Sequence, residues 1–185
     1  MKKVLIVHGY AGTPNGNWKP WLLAELEKLD IYASSISLPY PANPTPESWV
    51  DEITRQVNLP PIDKIYLVGH SLGSTAILRY LESDSALKTT GVILISGPCQ
   101  KTDNHGIDNF LEKPFNFSKI KSNSSNFTII HSDNDPYVPI ENAHILTKEL
   151  DAKLTIVPSG GHFASRDGYF TFPQVFLDLQ EMLKI

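Results

Sequence analysis

A serine held between two glycines, directly after an apolar β-branched run, has the setting of a nucleophile. Gly69-His70-Ser71-Leu72-Gly73 is such a segment. It follows Ile65–Val68 and precedes a helical stripe of Ala76, Ile77, Tyr80 and Leu81. Chance yields about 0.05 G-x-S-x-G matches in a chain of this composition. The glycines let strand and helix approach where a Cβ would collide, and the turn holds the serine strained with its Oγ exposed. The plainer reading is a Gly-rich strand-to-helix turn with a capping serine.

A serine hydroxyl becomes nucleophilic only when a base takes its proton and an acid orients that base. The order serine, acid, histidine along the chain is met by Ser71, an Asp near position 135, and His162. His162 follows the run Leu154–Val157 in Pro158-Ser159-Gly160-Gly161-His162-Phe163, where glycines let a loop deliver an imidazole to the end of a sheet. His8, His70, His105 and His131 fail this order by position, and His144 falls in a helical stretch. Asp133 and Asp135 both follow Phe127–Ile130. Asp135, before the turn Pro136-Tyr137-Val138-Pro139, is the favoured acid, and Asp133 suits capping its own turn.

Charge that develops on a carbonyl oxygen needs N–H donors. The Leu72 amide, at a helix N-terminus, supplies one, and the dipole there favours anions. The loop His8-Gly9-Tyr10-Ala11-Gly12 supplies the second through the Tyr10 backbone, with His8 tying the loop down. His131, Asp133 and Asp135 hint at a metal, but no second cluster completes a coordination sphere, so no metal is expected. Gly9-x-x-Gly12 and Gly69-x-x-x-Gly73 are not dinucleotide fingerprints, and no cofactor is expected.

These residues must be positioned by elements. Short apolar runs at Val4–Val7, Ile31–Leu38, Ile65–Val68, Gly91–Ile95, Phe127–Ile130 and Leu154–Val157 suit strands covered on both faces. Helical spacing links Trp18, Trp21, Leu22, Leu26 and Leu29. It also links Trp49, Ile53 and Val57; then Ala143, Leu146 and Leu150; and a last helix from about Pro173 to Leu183. The alternation predicts a three-layer α/β/α fold with a mostly parallel six-stranded sheet of order 2-1-3-4-5-6. Loops His8–Gly12 and Gly69–Gly73 then flank the crevice where strands 1 and 3 diverge, the place where ligands bind in open sheets. Trp18 and Trp21 read as packing on the sheet. Pro39 to Pro46 reads as an extended loop. Pro98 to Asn126 reads as a long loop, faintly helical only at Ile107–Leu111, and a candidate rim or small lid.

The chain has 185 residues, 41% hydrophobic and 19% charged, with a net charge of −4, which fits one domain spanning 1–185. That balance argues against nucleic acid or an anionic membrane as partner and toward a small molecule. Cys99 is the single cysteine, so no internal disulfide is expected, and it reads as a small buried hydrophobe. The apolar run after Met1-Lys2-Lys3 is too short for a secretory leader, and a reducing, cytoplasmic setting is expected. Asn116-Phe117-Ser118, Asn123-Ser124-Ser125 and Asn126-Phe127-Thr128 match the N-glycosylation pattern and read as chance matches.

These residues resemble the α/β-hydrolase superfamily, and within it the small serine hydrolases grouped with the retinoblastoma-binding hydrolase and the YdeN-type hydrolases. The resemblance rests on Val7-His8-Gly9-Tyr10, Trp18, Trp21, Leu38-Pro39, Trp49 and Val68 through Gly73. It continues through Asp133 to Pro139 and Gly161-His162-Phe163, almost end to end. It implies a minimal α/β-hydrolase core with Ser71, Asp135 and His162 as triad. The expected activity is hydrolysis of a small acyl ester, thioester or amide. The alternative is a binding or scaffold protein that keeps the shape. A retinoblastoma-type partner would need an L-x-C-x-E segment, which Gly97-Pro98-Cys99-Gln100-Lys101 is not, so no protein partner is expected.

Overall fold

Successive residues of a strand face opposite ways, so a continuous apolar run needs cover on both sides. In the computed structural model, which describes residues 1–60, 63–124 and 126–185, strand β1 (Lys2–Val7) obeys this rule. Val4 and Ile6 enter one core, with Trp18, Tyr66, Ile93, Phe172 and Leu179. Leu5 and Val7 enter another, with Trp49, Leu67, Ala76, Leu94 and Leu146.

Along the chain come α1 (Lys19–Glu27), β2 (Tyr32–Ile36), α2 (Pro46–Asn58), β3 (Lys64–His70), α3 (Leu72–Glu82) and β4 (Gly91–Ile95). A 3₁₀ helix (His105–Phe110), α4 (Phe117–Asn123), β5 (Phe127–Ser132), α5 (Glu141–Leu150), β6 (Lys153–Val157), a 3₁₀ turn (Ser165–Asp167) and α6 (Pro173–Leu183) follow. The six strands pair in parallel in the order β2-β1-β3-β4-β5-β6, as expected. Buried residues of α1 and α6 join the first core, and those of α2, α3 and α5 the second. The switch in direction therefore falls between β1 and β3.

Local chemistry explains the helices. For α2, the Thr45 side chain accepts from Ser48 N, Pro46 presets the first turn, and Trp49, Ile53 and Val57 bury one stripe. At its far end the Lys3 ammonium donates to the carbonyls of Gln56, Val57 and Leu59. Pro46 thus begins a helix, and the extended segment ends before it. Trp18 precedes α1 and is fully buried, whereas Leu29 lies past the helix end and is exposed.

The segment from Pro98 to Asn126 is more ordered than its composition predicts. It holds the 3₁₀ helix and also α4, which Asn116 caps by accepting from Lys119 N and which buries Ile120. Arg79 of α3 donates to the carbonyls of Phe110 and Lys113 and lies over the Phe115 ring. Ser125, last residue of the second glycosylation-pattern triplet, lies outside the described residues. No helix among the described residues is long and apolar enough to cross a membrane.

Candidate active site

Ser71 stands between β3 and α3 with φ +55 and ψ −126, a conformation that L-residues avoid and that needs support. Its amide donates to Ile95 O at 2.8 Å, and its carbonyl accepts from Ser74 N at 2.9 Å. Ser74 closes the brace, giving a hydrogen bond to Ile95 O and taking one from Ile95 N. The flanking glycines are required by space. A Cβ on Gly73 would stand 2.2 Å from Val7 O, and one on Gly69 2.6 Å from Ser74 Cα. Neither position tolerates a side chain without parting β1, β3 and α3.

Asp135, after β5, uses its two oxygens separately. Oδ1 accepts from Tyr137 N at 2.9 Å and Val138 N at 3.1 Å, and Oδ2 lies 2.8 Å from His162 Nδ1. The carboxylate side chain is only 1% exposed. Burial alone would push its pKa up. The bond and charge of His162, the Tyr137 amide and nearby Ser96 outweigh that and hold it below the ordinary carboxylate value. The proton between them therefore sits on Nδ1, which leaves Nε2 as an acceptor.

Asp133 does not cap its own turn. It accepts from Ser159 N across the cleft at 2.7 Å, and Asn134 Oδ1 accepts from Gly161 N at 2.8 Å. Asp167 accepts from the His162 and Ala164 amides at 3.1 and 3.0 Å. Asp133 and Asn134 thus lace the acid loop to the histidine loop, while Asp167 fastens the histidine loop to itself; sequence reading missed these roles for Asn134 and Asp167.

His70 is the other missed residue. It is buried, with Nε2–H donating to the His162 carbonyl at 2.8 Å. Burial first, then the charges of His162 and Lys19, drives its pKa well below the ordinary imidazole value. It is a neutral strut behind the catalytic candidate. His8 matches its expected structural part: Nδ1 donates to Gly9 O, and Nε2 accepts from Leu38 N. His131 Nε2–H likewise donates to Val138 O, tying β5 to the turn after Asp135.

Ser71 and His162 line two adjoining cavities, of about 620 and 390 Å³, which also share Tyr10, Ala11 and Arg166. No hydrogen bond joins the Ser71 hydroxyl to the ring in this structure; proton-transfer pairs often tighten only around substrate. Among the turn, loop and cap hydrogen bonds, neither the Tyr10 nor the Leu72 amide is a donor, while the neighbouring Ala11 amide is fixed to Pro41 O. Thr102, Asn104 and Ile107 wall the larger cavity, so the expected rim is formed by the start of the 98–126 segment. The tryptophans line neither cavity: Trp18 and Trp49 are fully buried in the two cores, and Trp21 packs half-buried against the first. Cys99 is half-buried, and desolvation pushes its thiol up to about 12, so it is no rival nucleophile. Among the described residues no three His, Cys, Asp or Glu side chains are grouped as a metal site requires.

Comparison with known proteins gives the same picture. Over 177 residues the chain is 33% identical to YdeN of Bacillus subtilis, covering 95% of this chain and 93% of that one. The crystal structure of the ydeN gene product superposes with a TM-score of 0.93 at 32% identity, over 100% of both chains. The serine hydrolase RBBP9 of Rattus norvegicus is 25% identical over 170 residues, 89% of each chain. Est1E from Butyrivibrio proteoclasticus shares the fold, with a TM-score of 0.77 at 15% identity over 100% of this chain and 90% of that one. The family model described as serine hydrolase matches residues 4–181. With its parallel sheet, its strained serine and these relatives, the chain belongs to the serine hydrolase family and has the α/β-hydrolase fold.

Proposed function

We propose that the protein hydrolyses a small acyl ester, thioester or amide through an acyl-enzyme on Ser71, with His162 as base and Asp135 as its orienting acid. The observation that carries this reading is the buried Asp135–His162 bond beside a cavity that Ser71 lines. Ser71 Oγ attacks the carbonyl carbon as its proton passes to His162 Nε2, and the Tyr10 and Leu72 amides receive the oxyanion. On collapse, the bond to the leaving group breaks and His162 returns the proton to it. Water then attacks the acyl carbon by the same route, and Ser71 is released.

The test is intact-mass analysis after incubation with a neutral alkyl fluorophosphonate. A single adduct is expected on the wild type and none on Ser71→Ala, whose thermal midpoint should be little changed. An adduct that survives in Ser71→Ala would remove this serine from the mechanism. A folded wild type that forms no adduct would favour a binding protein that keeps the hydrolase shape.

A further inference from the structure

Two lysines of this chain are buried to 1% exposure, and they are treated differently. Lys3 is a structural lysine: burial lowers its pKa too, but its ammonium donates to three carbonyls at the end of α2. Lys19 has no such company. Among the described residues its Nζ makes no hydrogen bond and no ion pair, and its one compensating contact is the Trp18 ring, 5.8 Å away at the centroid. Desolvation, with nothing opposing it, lowers its pKa to about 8. It also stands at the first turn of α1, where no acidic residue offsets the positive end of the helix dipole.

A lysine buried to this degree at a helix N-terminus, its ammonium open only to a cavity and without a protein partner, is unfavourable unless something in that cavity pairs with it. The position of Lys19 indicates what arrives. The side chain lies under the Thr13–Gly16 turn, where a Cβ on Gly16 would be 3.7 Å from Nζ. It lines the smaller cavity together with Ser71, His70 and His162. Arg166 lines both cavities, its guanidinium over the Tyr137 ring and, among the described residues, in no ion pair. Among the described residues no Asp or Glu lines the smaller cavity, although Asp103 lines the larger one and the chain as a whole carries a net charge of −4.

We propose that the cavity floored by Lys19 is an anion subsite, and that the acyl compound cleaved at Ser71 carries a permanent negative charge, such as a carboxylate, which Lys19 binds. This deepens the hydrolase reading and rests on it. The charge sits either on the acyl part or on the leaving group, because both cavities open at Ser71.

The test is covalent labelling of the full chain, read as rates by intact mass, with phosphonates that differ only in charge. In the first pair, alkyl fluorophosphonates end in a carboxylate or in the isosteric carboxamide. Ser71 Oγ bonds to phosphorus, fluoride leaves, and the hydroxyl proton passes to His162. In the second pair, the departing group is a phenoxide bearing a para carboxylate or para carboxamide, with rates corrected for spontaneous release. In at least one pair the carboxylate reagent is expected to label the wild type about tenfold faster or more, equivalent to one well-placed charge contact. Lys19→Met and Lys19→Gln should each bring that ratio close to one. A ratio at or below one in both pairs overturns the anion subsite and leaves the hydrolase reading standing. So does a preference that survives both substitutions, or labelling by the plain alkyl reagent alone. No adduct from any reagent, the plain one included, overturns the hydrolase reading beneath it.

Discussion

Asp135 does two jobs with one carboxylate, and a single-atom change separates them. In Asp135→Asn the amide oxygen can still accept from the Tyr137 and Val138 amides, so the turn survives. The –NH₂ then faces His162 Nδ1 as a donor, which forces the proton onto Nε2 and leaves no acceptor for the Ser71 hydroxyl. The rate of Ser71 labelling is expected to fall by about 10³-fold or more, with the fold retained. A labelling rate within tenfold of wild type would exclude Asp135 as the orienting acid. The stability contributed by this carboxylate is present above its ordinary value of 3.8 and is lost as pH falls through the lower folded value. At this scale the three catalytic candidates were legible, because a nucleophile in a Gly-framed turn leaves a local mark and the order serine, acid, histidine restricts the rest. The lacing was not legible. Asp133 and Asn134 act on amides 26 and 27 residues away, and His70 acts on a carbonyl 92 residues away. No spacing rule reports such contacts.

Strands and helices were legible in proportion to how completely their own residues specify them. The strands Gly91–Ile95 and Phe127–Ser132 are buried at every position; the first reads directly as an apolar run, and the second does so as far as Ile130, before the buried His131 and Ser132. Helix α4 was hidden because its sequence, Phe-Ser-Lys-Ile-Lys-Ser-Asn, has weak propensity and one buried residue. Its order comes from an Asn cap and from packing against α3 and α5. Arg79 fixes the preceding stretch, bridging α3 to the carbonyls of Phe110 and Lys113 with its side chain 10% exposed. Arg79→Met keeps the aliphatic stem but leaves those carbonyls without their donor, at a cost of about 2 kcal/mol. Hydrogen exchange in residues 105–116 is expected to quicken by about tenfold or more, because the segment opens locally before the sheet does. Unchanged exchange there would mean that the apolar contacts of Ile107 and Phe110 alone hold the rim.

The whole molecule carries a cost for Lys19 that a merely stable protein would not retain, and that cost has a pH signature. Its folded pKa of about 8 lies below the ordinary 10.5, so between those values the unfolded chain holds a proton that the folded chain has released. Stability from this group therefore rises with pH across that window, and below it the full penalty remains, about 3 kcal/mol. Lys19→Met, of similar length and unbranched, removes the charge and fills the same space. In a buffer without carboxylate or phosphate, urea unfolding should find this variant more stable than wild type by roughly that amount at pH 7. The advantage should shrink toward the packing difference alone by pH 10.5. His8 and His70 feel the Lys19 charge, but burial keeps both below their ordinary value and so below this window. Tyrosines that titrate within it affect both proteins alike, and so the difference between the two curves across the window reports the lysine. A variant that is less stable than wild type at pH 7, or an advantage that does not change between pH 7 and 10.5, would mean that the ammonium is already paired. A gain in stability that removes the preference for anionic reagents is the trade between stability and activity expected where a binding site is held ready and charged. It would separate Lys19 from Lys3, whose removal would leave one buried and two part-buried carbonyls without their donor and is expected to destabilise.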